Sequence, residues 1–581
     1  MQLLSGNEAI ARGAWEAGAT IGVAYPGTPS TETMEAFGKY TDVYAEWCPN
    51  EKVAVEVGIG ASVAGRRVLS SMKHVGVNVA ADPLYTAAYT GVNGGFVILA
   101  ADDPGMHSSQ NEQDSRHHAL GARIPILDPA NSQEALDYTK LAFELSERFD
   151  IPFFIRSTVR VSHTKCPVEV GERIEVSQKP YTKDAAKWVM MPAYAKPRRR
   201  SLDERIAALT EYLETSELNR MELNDTRTGI ICTGATYQHV KEALPDASIL
   251  KLGASWPLSA NLLHSFADKC EEVFVIEEAS DYLSRQVASM GIKLSQTPEP
   301  LPCYGELSPL LIRQGFGLES PACRETPENL PPRPPALCAG CPHRMVFREL
   351  SRMRAIVTGD IGCYTLGALA PLNAMDTCID MGASISMAHG FELGLQGASH
   401  RPVVAVIGDS TFAHSGITSL LNTIYNQGIG TVCILDNRTT AMTGRQGNPC
   451  NGVTLQNRPS RELDLPLLVK ALGVEDVQVV NPQQGEDVRR ALQAATKFDG
   501  LSVIIFESPC ILLERKKAQP YYIDQDTCKF CGACMLLGCP ALSRDKGKRL
   551  IEIDPNQCIG CGQCEQACMF GSIIQKEEQH V

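Results

Sequence analysis

The chain lacks any uninterrupted apolar run near the roughly 18 residues that a bilayer-crossing helix needs, which excludes a helical membrane-spanning segment. It also lacks a basic start followed by a long apolar stretch. The opening MQLLSGNEAIARGAWEAG reads as an amphipathic helix, so a cytoplasmic protein is expected. Positive charge is in deficit. With 54 Lys and Arg against 67 Asp and Glu, the net charge of -13 argues against nucleic-acid or anionic-membrane partners, both of which need concentrated basic surface. The one basic run, Lys196 to Arg200, is short, has no interleaved aromatics and reads as a solvated linker. Low-complexity sequence is absent, and 581 residues exceed what one hydrophobic core can organise, so three or four domains are expected.

Cysteine, by contrast, is concentrated. Of 21 cysteines, eight fall between Cys528 and Cys568, as two CxxCxxC triplets that each have a further cysteine downstream. In a chain without an export signal such clustering points to metal or iron-sulfur ligation rather than disulfides. The arrangement resembles two-cluster bacterial ferredoxins, in which each short loop gives three thiolates to one cubane and the fourth comes from the other half. That pattern implies Cys528, Cys531, Cys534 and Cys568 on one [4Fe-4S] cluster, and Cys558, Cys561, Cys564 and Cys539 on the other. Cys539 follows its triplet after four residues where the usual run has three, and Pro540 beside it fits the pattern. Zinc motifs favour paired CxxC and histidine, so two consecutive triplets suit two tetrahedral ions poorly.

Apolar runs with strand character alternate with helical patterns along most of the chain, which is the signature of α/β architecture. Residues 1–165 form a first α/β domain, 166–225 a charged, proline-bearing connecting segment with the surface helix SLDERIAALTEYLE, and 226–335 a smaller α/β domain. That domain ends in the proline-rich linker ENLPPRPPALC. Residues 336–515 form another α/β domain, and 520–581 the short cysteine-rich module.

Within 336–515 the strand VVAVIGDS ends in Gly408-Asp409-Ser410, and a second strand, TVCILDN, ends at Asn437. Thiamine-diphosphate enzymes are similar here. The resemblance implies a Mg²⁺ held by the side chains of Asp409 and Asn437 and the backbone carbonyl of Thr439, with Gly408 and Gly382 (in MGAS) lining the cofactor site. Ser410 stands where that family usually has glycine. In the first domain Tyr25-Pro26-Gly27-Thr28-Pro29-Ser30 resembles the YPxTPS signature of 2-oxoacid:ferredoxin oxidoreductases, which makes Thr28 the candidate contact for a substrate carboxylate. Glu56, in VAVEVGIGAS, matches by the same resemblance the glutamate that hydrogen-bonds the cofactor's pyrimidine and promotes proton removal from the thiazolium C2. The carboxylate-binding arginine of pyruvate-acting members has no clear counterpart; His107, Arg116 and His117 are the candidates in AADDPGMHSSQNEQDSRHH. Cys338 and Cys341 of CAGCPHR, with Cys363 and Cys510, resemble the ligands of a further cluster near the thiamine, with buried or zinc-bound thiols as the alternative.

Domain order, the CxGCPHR element and the C-terminal ferredoxin module together resemble the large subunits of the 2-oxoacid:ferredoxin oxidoreductase family, in its indolepyruvate branch, over essentially the whole chain. The resemblance implies transketolase-like thiamine-diphosphate domains on parallel sheets, a smaller transketolase C-terminal-like domain and the two-cluster module. It implies oxidative decarboxylation of an arylpyruvate to an aryl-acetyl-CoA and CO₂, using thiamine diphosphate, Mg²⁺ and two [4Fe-4S] clusters with a candidate third. Coenzyme A would take the acyl group and ferredoxin the electrons, with a small beta subunit completing an alpha2beta2 assembly. A non-redox thiamine decarboxylase would share Asp409, Asn437 and Glu56 but would have no use for eight C-terminal cysteines. A pure electron carrier would have no use for the preceding five hundred residues.

Overall fold

Seven strands make the first sheet, in the order Ala254–Trp256, Ile126–Leu127, Phe153–Thr158, Phe96–Asp102, Val68–Lys73, Ile21–Ala24 and Tyr44–Trp47. All neighbours are parallel except the first pair, which is antiparallel. Phe96–Asp102 is buried along its whole length, as expected of a central parallel strand covered by helices on both faces. This computed structural model describes residues 1–319, 327, 329–330, 334–513 and 518–575, and separates into two units, Met1–Thr326 and Pro327–Val581. The proline-rich linker lies partly outside the described residues.

The boundary expected at 226 does not hold. Arg220–Glu222 already pairs antiparallel with Ala247–Leu252 in a four-stranded sheet, whose other members are Asp225–Thr233 and Glu272–Val275. The chain then leaves that sheet, and Ala254–Trp256 covers the open edge of the first one, satisfying backbone groups that Ile126–Leu127 would otherwise expose. Nor is the 166–225 segment a plain connector. Helix Pro192–Glu214 buries Leu202, Ile206, Leu209 and Leu213 at helical spacing. Its basic run is likewise more than a solvated linker: Arg198 donates to the carbonyls of Tyr89 (2.7 Å) and Thr90 (3.0 Å), and farther along the helix Arg205 donates to that of Ala88 (3.1 Å). These carbonyls end helix Ala81–Thr90, where the helix itself supplies no donors.

A buried ionic cluster joins the two sheets of this unit. Arg156 donates to Asp102 (2.7 Å) and Asp128 (3.2 Å), while Arg116 pairs with Asp114 (2.7 Å) and donates to the Glu278 carbonyl (3.2 Å). Arg116 is thereby removed from the substrate candidates, because its guanidinium is fully enclosed by protein partners. Burial pushes the Glu278 carboxyl up to about 7, against the hydrogen bond from the Leu307 amide. A carboxyl neutral in the fold and ionised at lower pH when unfolded favours folding at acid pH, and that contribution is lost as pH rises toward 7. We expect the first unit to lose on the order of 3 kcal/mol between pH 4.5 and 7 from this group. Glu278→Gln should flatten that part of the profile in denaturant titrations at several pH values; an unchanged slope would refute it.

In the second unit six parallel strands run in the order Thr377–Cys378, Ile356–Gly359, Val403–Gly408, Gly430–Asp436, Leu501–Glu507 and Asp476–Val480. Alternation along Val403–Gly408 divides its side chains between two cores. Val404 and Val406 pack with Val357, Cys433 and Leu435, while Val403, Ala405 and Ile407 pack with Val432, Ile434 and Phe412. The cysteine-rich module is held by two small antiparallel pairs, Tyr521–Ile523 with Ile573–Gln575 and Leu542–Asp545 with Leu550–Ile553.

Candidate functional site

The loop Tyr25–Ser30 leaves the carboxyl end of Ile21–Ala24. The Ser30 hydroxyl donates to the Gly27 carbonyl (2.7 Å), the Gly27 amide to Thr31 Oγ1 (2.9 Å) and the Asn7 amide to the Pro29 carbonyl (2.7 Å). These bonds fix a turn that leaves Thr28 half-buried. Beside it starts helix Glu51–Val63, capped by the Asn50 side chain, which accepts from the Val53 amide at 2.9 Å. The buried face of that helix is Glu51, Ala54, Val55, Gly58 and Ser62.

Glu56 belongs to that same helix. It lies in mid-helix with 47% of its side chain exposed, paired to Lys52 at 2.8 Å one turn back. Its flanking valines do not bury it, because a helix separates adjacent residues by about 100°. Glu51 is the buried glutamate, 4% exposed and lying against Gly76, where an added Cβ would stand 2.6 Å from Glu51 Cγ. The sequence held the signal: Asn50 as cap, and a stripe at 51, 54, 55, 58 and 62. Of the other substrate candidates, His107 lies 3.4 Å from Glu306 and His117 lies 3.3 Å from the Ser280 hydroxyl, both exposed.

In the second unit the strand order reverses between Ile356–Gly359 and Val403–Gly408, so their carboxyl ends border the crevice where open α/β sheets bind ligands. Asp360 ends one strand and Asp409 the other. Asp360 accepts from the amides of Gly382 (2.8 Å), Ser384 (3.1 Å) and Ile361 (2.9 Å), and burial nevertheless pushes it up to about 6. It thereby fixes the start of helix Ala383–Leu395, where Gly382 has φ +93 and an added Cβ would stand 2.4 Å from Ser415 Cβ. Asp360 was missed, although TGDIG repeats the strand-Gly-Asp pattern of IGDS.

Asp409 is 2% exposed, and its Oδ2 accepts from Asn448 Nδ2 at 3.0 Å. Burial first, then the nearby charge of Asp436, push its carboxyl up to about 7. Asn437 Oδ1 accepts from the Thr439 amide (3.1 Å), and its Nδ2 lies 3.3 Å from His343 Nε2. Burial lowers His343 to about 4, leaving a neutral ring. Thr440 donates to the Ser410 hydroxyl at 2.9 Å, which gives this departure from the usual glycine a local use. The buried Asp409 carboxylate and the Asn437 amide oxygen are hard-oxygen donors, a chemistry that fits a Mg²⁺ with a diphosphate.

The cysteine-rich module contains two cavities. Cys528, Cys531, Cys534 and Cys568 line one, and Cys539, Cys558, Cys561 and Cys564 the other. The extra residue before Cys539 is absorbed in a 3₁₀ turn, Ala533–Leu537, closed by Gly538 at φ +64. Among the described residues no three His, Cys, Asp or Glu side chains close on a single metal ion. Four thiols ringing a cavity suit a multi-iron cluster better than a zinc ion. Backbone amides point at two of the sulfurs, Tyr521 at Cys558 and Ser572 at Cys568, each at 3.4 Å.

Cys338, Cys341, Cys363 and Cys510 are also brought together. Burial pushes Cys341 up to about 12 with Cys338 and Cys363 adding to the rise, and Cys363 up to about 11 with Cys510 and Cys338 adding. The Cys510 amide donates to the Asn437 carbonyl at 2.9 Å, so this quartet borders the Asp409 site. It borders the second cavity as well. Arg344 donates to the carbonyls of Cys338 (2.7 Å) and Leu537 (2.6 Å), and Gln563 to that of Cys341 (3.1 Å). Gln563, between Cys561 and Cys564, carried no signal in sequence.

Three family models match: "Pyruvate flavodoxin/ferredoxin oxidoreductase, thiamine diP-bdg" over residues 12–225, "Thiamine pyrophosphate enzyme, C-terminal TPP binding domain" over 360–506, and "4Fe-4S dicluster domain" over 520–569. Fold and matches define a thiamine-diphosphate oxidoreductase with a C-terminal iron-sulfur module. Curated relatives named indolepyruvate oxidoreductase subunit IorA are 38% identical in Archaeoglobus fulgidus, over 97% of this chain and 96% of the relative, and 39% identical in Pyrococcus abyssi, over 99% and 97%. A third, from Methanothermobacter marburgensis, is 39% identical over 98% and 96%. The chain belongs to this indolepyruvate oxidoreductase IorA family.

Proposed function

We propose that the chain catalyses arylpyruvate + coenzyme A + two oxidised ferredoxins → aryl-acetyl-CoA + CO₂ + two reduced ferredoxins + H⁺, with indolepyruvate as substrate. A small beta subunit completes an alpha2beta2 assembly in the cytoplasm. Thiamine diphosphate, when bound, supplies the carbanion that makes decarboxylation of a 2-oxoacid feasible. Glu51, rather than Glu56, accepts the hydrogen bond role toward the cofactor's pyrimidine. Asp409 and Asn437 side chains with the Thr439 carbonyl hold Mg²⁺, and Gly408 and Gly382 leave room for the diphosphate. Thr28 contacts the substrate.

The observation that carries this reading is the contiguity of sulfur sites in one unit: the Asn437 carbonyl meets the Cys510 amide, and the Cys341 carbonyl meets Gln563. Electrons would pass from a third cluster on Cys338, Cys341, Cys363 and Cys510 to the Cys539, Cys558, Cys561, Cys564 cluster, then to the Cys528, Cys531, Cys534, Cys568 cluster, and out to ferredoxin one at a time. A non-redox decarboxylase has no use for this succession. The test is anaerobic: chain and beta subunit, indolepyruvate and ferredoxin, with and without coenzyme A. Coenzyme A-dependent ferredoxin reduction supports the reading, and CO₂ release without reduction refutes it.

Asn448 offers a finer check on the metal assignment. It holds Asp409 without being a ligand, so Asn448→Ala should weaken Mg²⁺-dependent thiamine diphosphate binding about 10- to 100-fold, and Asp409→Ala by more. Cofactor fluorescence titration with Mg²⁺ measures both. Equal, small effects would move the metal elsewhere.

A further inference from the structure

Lys73 ends the strand Val68–Lys73 and is 6% exposed. A buried ammonium needs a counter-charge or a full set of acceptors. Among the described residues it makes no ion pair within 4 Å, and it donates a hydrogen bond to the Ser108 carbonyl at 2.6 Å. Asp103 attracts it from farther off, but burial outweighs that attraction and lowers Lys73 to about 8. The Asp103 carboxylate is itself occupied by the amides of His107 (3.2 Å) and Ser108 (2.8 Å) and by the Ser109 hydroxyl. One cation is therefore held in the interior with donors to spare.

Its surroundings are those of the substrate loop. A Cβ added to Gly27 would stand 3.1 Å from Lys73 Cβ and 4.0 Å from Lys73 Cδ, so the loop carrying Thr28 runs along the lysine stem. On the other side of Lys73 comes His74, fully buried. Its Nε2 lies 3.3 Å from the Asn111 carbonyl and its Nδ1 has no hydrogen-bond partner among the described residues. Three residues beyond Lys73, Gly76 abuts Glu51. Other cations of this region are committed: Arg116 and Arg156 to buried carboxylates, and Arg160 to Glu306.

We propose that Lys73 Nζ binds the carboxylate of the 2-oxoacid substrate, next to Thr28, in place of an arginine. This rests on the oxidoreductase reading above. An unpaired cation and an unsatisfied imidazole nitrogen at one strand end, beneath the Thr28 loop, match a ligand that brings both negative charge and acceptor atoms.

The test compares Lys73→Met with the wild-type holoenzyme and its beta subunit. Three quantities are measured: KM for indolepyruvate, inhibition by the uncharged indolepyruvate methyl ester, and hydrogen-deuterium exchange at C2 of bound thiamine diphosphate. KM is expected to rise about 10- to 100-fold, the worth of a hydrogen bond to a charged group. Ester inhibition and C2 exchange should stay within about twofold, because neither involves a substrate carboxylate. An unchanged KM overturns the proposal; so does a fall in C2 exchange parallel to the rise in KM, which would make Lys73 a support for the cofactor. Where Lys73→Met does not bind the cofactor, Lys73→Gln carries the same comparison. Failure of the wild type to reduce ferredoxin with any arylpyruvate would instead refute the function on which the proposal rests.

Discussion

Glu51→Gln is expected to slow C2 exchange of bound thiamine diphosphate, and kcat with it, by about 10²- to 10⁴-fold, the range of a lost general acid-base group. Glu56→Gln should leave both within about twofold. The contrast follows from helix geometry. Glu51 opens the buried stripe of Glu51–Val63 against Gly76, whereas Glu56 points to solvent and pairs with Lys52, which also pairs with Asp82. An exposed i,i+4 pair contributes little to stability, so its loss should be nearly silent. Glutamine keeps the size of Glu51 and most of its hydrogen-bonding capacity, so retained cofactor binding with lost exchange would separate chemistry from folding. The reverse result, with Glu56→Gln inactive and Glu51→Gln active, would give the role to Glu56, as the family resemblance implies.

Cys341→Ser is expected to lower iron from about twelve to about eight per chain and to abolish ferredoxin reduction, while C2 exchange persists. Cys341 is buried between the Asp409 site and the second cysteine cavity, with its carbonyl bound by Gln563. Loss of a cluster there would cut the electron path at its first step without touching Glu51. Decarboxylation would then run without electron output. Wild-type iron near eight, or unchanged iron in the variant, would assign these four thiols to a structural role and start the relay in the ferredoxin-like module.

Some features were legible in the residues because their determinants are local. Period-two apolar strands ending in Gly-Asp, the two CxxCxxC triplets and the Tyr25–Ser30 loop each lie within about ten residues of chain. Turn chemistry and ligand spacing operate at that range, so fold class, thiamine domains and the iron-sulfur module could be read without coordinates.

What only the tertiary structure decided depends on which faces are buried and which distant segments meet. Whether Glu51 or Glu56 is enclosed turns on the phase of one helix against its sheet. That phase is set by long-range packing, although the Asn50 cap would have registered it. Ala254–Trp256 crosses into the first sheet because an edge there needs a partner, something no window around residue 254 records. Arg116 is enclosed by Asp114, two residues away, together with Glu277 and the Glu278 carbonyl, which lie more than 150 residues away in sequence. The quartet draws Cys363 and Cys510 from beyond the carboxyl ends of two parallel strands, Ile356–Gly359 and Leu501–Glu507, and Cys338 and Cys341 from the segment before helix His343–Met353. Residue types chose the chemistry, and the sheet chose which of them share a site.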